Sequence, residues 1–565
     1  MSGTGIRKNC IKEYDRWLRC ARDEELLSEL NSMSNKQIED SFYSDLAFGT
    51  GGLRGVIGAG TNRINTCTVA KASQGLANYV LKNYTNNRSI AIAYDSRIKS
   101  DLFSVTAARV FAANGIKTYI FPEPMPTPCL SYAVREIGCS SGIVITASHN
   151  PCNYNGYKVY GSDGCQITTE AASAIYEQIK KVDIFNDIKT VSFDDAVKSA
   201  MIAYIPESLT AFFIEEVKAQ SVLFGDDIDC DVSIVYSPLN GTGLKPVTEA
   251  LNSAGFSNIT VVEEQAQLDG YFPTCPYPNP EEKEAMELGL RYCEENNADL
   301  LLATDPDADR CGIAVRSSDG YKLLTGNEVG LLLFDYICSQ RTKHSRMPKS
   351  PVFAKTIVTT DLAEKIAEQY GVETVNVLTG FKYIGELIGR LEQEGRKADF
   401  ICGFEESYGY LTGTYVRDKD AVNAAFMISE MVAFYKMRGI SLTDKLEEIY
   451  HRYGYCLNTL YSYAFEGSDG MSKMQKIMRR MREGVDAIGG LKVEKTIDYI
   501  NGIDGLPKSD VIRFILEGGS SVVIRPSGTE PKLKAYISVI GDNNVEVHII
   551  EEQIKINIDS FTKCR

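Results

Sequence analysis

The sequence predicts an α/β protein of several domains, three successive βαβ units followed by a C-terminal α+β unit. Short apolar runs alternate with segments of helical period through most of the chain. At 565 residues there is room for about four domains of roughly 150 residues each. From about residue 454 the character changes: strands such as Ser521–Arg525 and Lys532–Val539 crowd together, with a helix near Met471–Glu483.

Composition is that of a globular chain, 44% hydrophobic and 24% charged. The net charge of −15 argues against a general binder of nucleic acid or anionic membrane, although local cations can still hold anionic substrates. Fifteen cysteines, an odd number with no C-x-x-C pair, support neither a zinc ribbon nor a secreted disulfide framework. They read as small buried hydrophobes in a reducing compartment. MSGTGIRKNC lacks a signal-peptide core, and no run approaches 18 apolar residues, so a cytoplasmic protein with no membrane partner is expected.

In chain order, Ile11–Leu30 reads as a helix with Trp17, Leu18, Leu26, Leu27 and Leu30 on its packing face. Phe48–Gly55 follows, four glycines around Arg54. It is neither a P-loop nor a dinucleotide fingerprint, and it suits backbone lying close to a phosphate or a plain turn. The first βαβ unit runs from strand Ser89–Tyr94 through a helix capped by Asp101 and ending at Gly115 to strand Lys117–Phe121. Pro122–Pro128, a helix and strand Gly142–Ile145 complete it. The second has strands Val232–Tyr236, Asn258–Val262 and Asp299–Ala303, with helices Pro246–Ala254 and Glu281–Asn297 between them. The third has strand Val352–Ile357, a helix capped by Thr360 with Gly371 past its end, and strand Thr374–Leu378. A helix carrying Ile384, Leu387, Ile388 and Leu391 then leads to strand Asp399–Cys402.

In open α/β sheets ligands sit beyond the carboxyl ends of strands, and this chain's unusual loops follow strands in that way. Thr146–Pro151, TASHNP, can hold the Ser148 hydroxyl at a cleft mouth, or be an ordinary turn. Asp305, Asp307 and Asp309 alternate in a tight loop and repel one another unless a cation holds them; hard oxygen ligands suit Mg²⁺ or Ca²⁺, the alternative being a solvated acidic turn. An EF-hand is excluded, because Arg310 stands where its glycine is required. Gly380-Phe381-Lys382-Tyr383 closes one strand and Gly403–Gly409 the next, where Glu405, Glu406 and Ser407 suit sugar hydroxyls or, equally, a charged surface loop. Arg417–Asp420 adds Lys419, and Arg525–Pro531 offers a guanidinium, two hydroxyls and exposed backbone N–H groups, a cradle for phosphate or an ordinary β-turn. Were these loops to converge, about −5 of metal-compensated charge would face about +6 from Arg54, Lys158, Arg310, Lys382, Lys419 and Arg525.

TASHNP, DPDADR, GFEESYG and RPSGTEP, in this order and spacing, closely resemble the α-D-phosphohexomutase family. The resemblance runs from GTGGLRG to RPSGTEP. It implies four domains around a central cleft: 1–206 with a phosphoserine loop, 207–324 with a metal loop, 325–453 with sugar-recognition loops, and 454–565, a mobile α+β domain with a phosphate loop. Ser148 would be the phosphorylated serine and, with Asp305, Asp307 and Asp309, would bind Mg²⁺. Lys158 would be the general acid/base, supported by Arg54, His149 and Arg310. Glu405 and Ser407 would read sugar hydroxyls, with Gly380, Phe381, Lys382 and Lys419 nearby, and Arg525, Ser527, Gly528 and Thr529 would clamp the substrate phosphate.

The GFKYIG loop resembles the branch that joins phosphoglucomutases with phosphopentomutases and a glucose 1,6-bisphosphate synthase, while Ser407 in EES favours a hexose. The implied activity interconverts glucose 1-phosphate and glucose 6-phosphate through glucose 1,6-bisphosphate, in a monomer or homodimer whose partners are small sugar phosphates. A pentose or mannose substrate, a sugar phosphatase and a non-catalytic sugar-phosphate-binding protein are the alternatives. PLNGTG, Pro238–Gly243, has asparagine where many relatives have histidine, which leaves open whether that loop meets ligand.

Overall fold

The computed structural model describes residues 3–49, 51–465, 470–503, 505–526 and 532–563. It contains four sheets, each built from a separate stretch of chain. The first three share one plan. In each, two parallel strands and their helices are followed by a third parallel strand on the other side of the first, and then by an antiparallel return. In the first sheet these four strands are Ser89–Tyr94, Lys117–Ile120, Ser141–Ile145 and Tyr154–Gly161. In the second they are Ile234–Ser237, Ile259–Val261, Leu300–Thr304 and Cys311–Ser317. In the third they are Val352–Thr356, Glu373–Val377, Phe400–Glu405 and Gly409–Thr412.

The turn between third and fourth strands is therefore topologically equivalent in all three. It carries TASHNP in the first, DPDADR in the second and the Glu405–Ser407 turn in the third. No residue repeat announces this likeness in the sequence. What recurs is the position of the loop beyond the carboxyl end of a buried central strand. Those third strands are buried throughout, since helices cover both faces.

The fourth sheet is wholly antiparallel, running from strand Tyr455–Ala464 through Lys532–Gly541, Ser521–Pro526, Ile512–Leu516 and Leu491–Asp498 to Ala487–Ile488. Helices Gly470–Arg482 and Asn544–Lys563 cover one face, burying Met474, Met478, Ile554 and Ile558 with Ile512, Phe514, Leu533 and Ile537. The opposite face looks toward the other three domains.

Several boundaries differ from those expected. The N-terminal segment is two helices, Gly3–Cys20 and Glu24–Ser32, because Asp23 caps the second by accepting from the N–H groups of Glu25 and Leu26. Helix Ser100–Ala113 starts after Lys99 in a left-handed conformation, so Asp101 lies inside the first turn and is no cap. Asp361 occupies the cap position before helix Leu362–Tyr370, while the Thr360 hydroxyl accepts from the Leu362 N–H at 3.3 Å. Lys382 opens helix Lys382–Gln393 instead of closing a strand. All cysteines among the described residues are free thiols, and no helix among them is long and apolar enough to cross a membrane.

Candidate active site

A cleft of about 900 Å³ lies among the four sheets. Its lining includes Arg54, His149, Arg310, Glu405, Ser407 and Lys419 on one side, and Arg525, Lys534 and Tyr536 on the other.

Ser148 sits under the floor of this cleft, 3% exposed, with φ of 51°. That left-handed backbone is uncommon for a serine and costs about 1–3 kcal/mol unless its surroundings impose it. Its N–H donates to the Thr146 hydroxyl at 2.7 Å. Its own hydroxyl donates to Asp305 Oδ2 at 2.6 Å and lies 3.1 Å from His149 Nδ1. With the hydroxyl proton committed to Asp305, the fitting tautomer of His149 carries its proton on Nδ1. Burial, then the cations Arg310 and Arg54, hold the imidazole well below its ordinary pKa. His149 is therefore neutral and braces the serine.

The three aspartates each present an oxygen within 4.8 Å of the others. Asp305 Oδ1 accepts from the N–H groups of Asp309 and Arg310 at 3.0 Å, which closes the loop on itself. Asp307 Oδ2 accepts from Lys158 at 2.7 Å and from the Thr127 hydroxyl at 2.8 Å. Asp309 Oδ2 faces Lys419 at 3.2 Å and Lys158 at 3.4 Å. Among the described residues, Asp307 Oδ1 and Asp309 Oδ1 are buried without a hydrogen-bond partner. Buried acceptors are rarely left so, and here they belong to clustered hard carboxylates, the donor set of a divalent cation. The residues present fit such an ion.

Burial and mutual repulsion push Asp305 well above the usual carboxylate range. Burial also pushes Asp307 and Asp309 up, but Lys158 at Asp307 and Lys419 with Lys158 at Asp309 more than reverse it, and both lie low. The same pairing overcomes the burial of Lys158 and raises its pKa. It is held as an ammonium.

PLNGTG does not line the cleft but braces the aspartate loop. The Thr242 N–H and hydroxyl both donate to the Pro306 carbonyl, at 2.9 and 3.0 Å, and a Cβ on Gly241 would stand 2.4 Å from Pro306 Cα. Arg54 occupies strand Gly52–Val56 opposite Gly156. Its neighbour Gly52, at φ of 147°, admits no side chain, because a Cβ would stand 1.9 Å from the Tyr157 carbonyl. The glycine-rich segment is thus a close strand pairing that carries Arg54 to the cleft.

Domain models of the phosphoglucomutase/phosphomannomutase family match four stretches: α/β/α domain I over residues 45–184, domain II over 211–320, domain III over 325–453 and the C-terminal domain over 476–554. The chain belongs to this family. It is 35% identical over 547 residues to a phosphoglucomutase of Staphylococcus haemolyticus, covering 94% of this chain and 97% of that one. To a phosphoglucomutase of Staphylococcus aureus it is 36% identical over 551 residues, with the same coverage. Among solved structures, the open form of parafusin, a phosphoglucomutase of Paramecium, superposes with a TM-score of 0.68 at 18% identity, covering 92% of this chain and 95% of that one. A phosphoglucomutase/phosphomannomutase family protein of Burkholderia thailandensis gives 0.67 at 17%, covering 91% and 97%. These two likenesses carry the fold.

The remaining expected residues fall into place around the cleft or beside it. The Gly380 N–H donates to Glu405 Oε1 at 2.9 Å, Phe381 lies under the Lys419 ammonium at 5.8 Å, and Arg310 grips Glu281 at 2.6 Å. Burial lifts the Glu405 carboxyl to about 7, with Lys419 only partly offsetting it. Lys382 is not among the cleft-lining residues. It is buried over the Tyr383 ring at 5.1 Å, which lowers its pKa. Arg525 lines the cleft, whereas Ser527, Gly528 and Thr529 lie outside the described residues.

Thr127, Glu281, Lys534 and the pair Asp95 and Arg97 escaped the sequence reading. Lys534 pairs directly with Arg525 across two antiparallel strands, so both side chains share the cleft-facing side. Strict alternation along KLKAY would have found it. Asp95 and Arg97 directly follow a strand, as the recognised motifs do, and that position was their signal.

Proposed function

We propose that the chain interconverts glucose 1-phosphate and glucose 6-phosphate by way of a phosphorylated Ser148 and glucose 1,6-bisphosphate. The observation that carries this reading is the 2.6 Å contact of the Ser148 hydroxyl with Asp305, inside the aspartate cluster and beneath the cleft. The 35–36% identity to bacterial phosphoglucomutases supports the substrate.

Asp305, Asp307 and Asp309, with the Ser148 oxygen, would hold Mg²⁺, which when bound supplies charge neutralisation for the transferring phosphoryl group. The protein's own residues do the rest. Phospho-Ser148 offers its phosphoryl group to the free 6-hydroxyl of glucose 1-phosphate: the Oγ–P bond breaks as the O6–P bond forms, and the proton released by the 6-hydroxyl ends on the freed serine oxygen. Lys158, Arg310, Lys419 and Arg54 surround the negative charge from fixed positions, so little reorganisation is needed as the group moves. His149 stays neutral and steadies the serine oxygen. On the return step Ser148 recovers a phosphoryl group from the 1-position: the P–O1 bond breaks as the Ser148 Oγ–P bond forms. Lys158, an ammonium, gives a proton to the leaving O1, and the proton released by the Ser148 hydroxyl restores the ammonium.

Between the two transfers the bisphosphate must turn end for end. Arg525 and Lys534, with the residues of the RPSGTEP loop, accept whichever phosphate is distal. Glu405 and Ser407 read hydroxyls common to both poses. A buried Glu405 near pKa 7 can accept or donate a hydrogen bond to a sugar hydroxyl. We place the domain divisions after residues 206, 324 and 453, a reading supported by each of the four sheets lying within one span.

A coupled assay with glucose, mannose and ribose 1-phosphates, bisphosphate activator present, tests the reading. Glucose 1-phosphate should give the highest kcat/KM, and the isolated active protein should carry one phosphoryl group on Ser148. Release of inorganic phosphate without glucose 6-phosphate would replace it with a phosphatase.

A further inference from the structure

Arg97 takes no part in the chemistry just described, yet its guanidinium is fully engaged in directed contacts. It follows strand Ser89–Tyr94, is 2% exposed, and reaches beneath the loop that carries Ser148. All five of its guanidinium N–H groups are used. Nε donates to the Ser148 carbonyl at 3.0 Å. Nη1 donates to the carbonyls of Pro151 at 2.8 Å and Tyr154 at 3.1 Å, and Nη2 to those of Ser148 and Asn150. One planar fork thus gathers four carbonyls of a single turn.

Asp95 fixes this fork. Its carboxylate accepts from the Arg97 N–H at 3.0 Å, from Ser100 at 2.7 Å and from Thr146 at 2.6 Å. The Thr146 hydroxyl in turn accepts from the Ser148 N–H. The left-handed φ of Ser148 is therefore set from both sides, its N–H by Thr146 and its C=O by Arg97.

The exposed-looking face of the guanidinium is covered from the next domain. The ring of Phe272 stacks 5.0 Å from the Arg97 Cζ and is itself 1% exposed. Gly270 seats that segment directly against residues 96–98, where a Cβ would stand 2.4 Å from the Ile98 nitrogen. The same segment connects to the aspartate loop. The Asp269 N–H donates to the Asn240 carbonyl, Asn240 Nδ2 donates to the Gln267 carbonyl at 2.9 Å, and Gly241 and Thr242 press on Pro306. A closed path of contacts thus runs from Ser148 through Arg97, Phe272 and Asn240 to Pro306, and back through Asp305 to the Ser148 hydroxyl.

We propose that Arg97 and Phe272 are a positioning pair: they rivet the turn of Ser148 to the domain that carries Asp305, and so set where the serine oxygen stands relative to the three carboxylates. This rests on the reading of Ser148 as the phosphoryl carrier. Neither residue touches substrate; both act through the serine turn. Their loss lets the phosphoserine drift from its in-line position while Glu405, Arg525 and Lys534, which stand on other elements, still bind the sugar phosphate.

The test compares Arg97→Lys and Phe272→Leu with the parent enzyme, measuring kcat, KM and the inorganic phosphate released per glucose 6-phosphate formed. Lysine keeps the charge but lacks the fork. Arg97→Lys should lower kcat by about 10²-fold, the scale of a 1 Å misplacement. Phe272→Leu should lower it roughly two- to tenfold, as for loss of a buried cation–π contact. In both, KM should change by less than about twofold and phosphate release per turnover should rise. A merely structural role would reduce the active fraction and leave that ratio at the parental value. That result, in Phe272→Leu alone if Arg97→Lys fails to fold, overturns the pairing. Ser148→Ala separates the two ideas: activity retained in that variant removes the phosphoserine reading itself. Its loss, with parental kcat and phosphate release in the other two, removes only the positioning pair.

Discussion

Around Ser148, side chains from three domains already stand within hydrogen-bonding reach of one another: Asp305 on the serine, Lys158 and Thr127 on Asp307, Lys419 on Asp309. Across the cleft, Arg525 and Lys534 stand side by side on adjacent strands, two like charges. Burial and then Arg525 lower the Lys534 pKa. The first arrangement is complete before substrate arrives, apart from the two orphaned carboxylate oxygens that suit a cation. The second is strained by its own charge and becomes favourable when an anion lies between the cations.

The attachments differ in the same way. The first three domains share an extensive core, whereas the fourth meets them through a small apolar seam, in which Ile357, Val358 and Leu378 face Tyr499, Val511, Val523 and Tyr536. A charged joint reinforces it. Asp361 accepts from Lys355 at 2.8 Å and, across the seam, from Arg513 at 2.6 Å and Ser521 at 3.1 Å. Burial pushes that carboxyl up, but Lys355 and Arg513 more than reverse it and hold it at about 2. A fixed floor suits phosphoryl transfer, which depends on positioning and charge. A narrowly attached wall suits a step in which the ligand must turn over and be gripped again.

Variants can break or sharpen this contrast. Ser148→Ala should abolish mutase activity, by more than about 10⁴-fold, and eliminate the covalent phosphoryl group seen by intact-mass measurement, with the melting temperature little changed. Asp307→Asn should cost about 10²- to 10³-fold in kcat at saturating Mg²⁺, and chelation of the metal should bring the parent to the same low level. On the opposite wall, Arg525→Ala should act mainly on KM, lowering kcat/KM by about 10- to 100-fold, the worth of a charged hydrogen bond. Arg513→Ala, which loosens the seam without entering the cleft, should raise KM roughly two- to fivefold and increase protease sensitivity near the seam.

Glu405→Gln carries a pH signature. The Glu405 carboxyl is lifted from its unfolded range near 4.5 to about 7, so its ionisation opposes folding. The penalty is absent below about pH 4.5 and fully present above about pH 7. In the ligand-free protein, Glu405→Gln should therefore be more stable than the parent at pH 8, by about 1–3 kcal/mol, and no more stable at pH 4.5. Equal melting temperatures at pH 8 would contradict the placement of a buried, under-compensated carboxyl at this point of the cleft.

Much of this was legible in the residues. Periodicity placed most strands of the first three units within a residue or two, as with Ser89–Tyr94, because fully buried strands are unbroken apolar runs. The motif loops were visible because each departs from that pattern directly after a strand. Less legible were features that depend on one local side chain: Asp23 divides the expected N-terminal helix, and Lys382 starts a helix instead of ending a strand. Whether PLNGTG meets ligand was open in the residues, and the fold makes it a brace for Pro306.

By itself the sequence determined the α/β class, the order of the units and the chemical character of each loop, since these follow from local pattern and residue type. Tertiary structure alone decided which carboxylate oxygens are taken by lysines and which are left for a cation. It also decided that His149 is held neutral, that Lys534 joins Arg525, and that Arg97 holds the serine turn from below. Several of these depend on residues far apart in sequence meeting at hydrogen-bond distance, as with Arg97 and Ser148 or Thr127 and Asp307. That proximity is set by the packing of whole sheets, which no local pattern encodes.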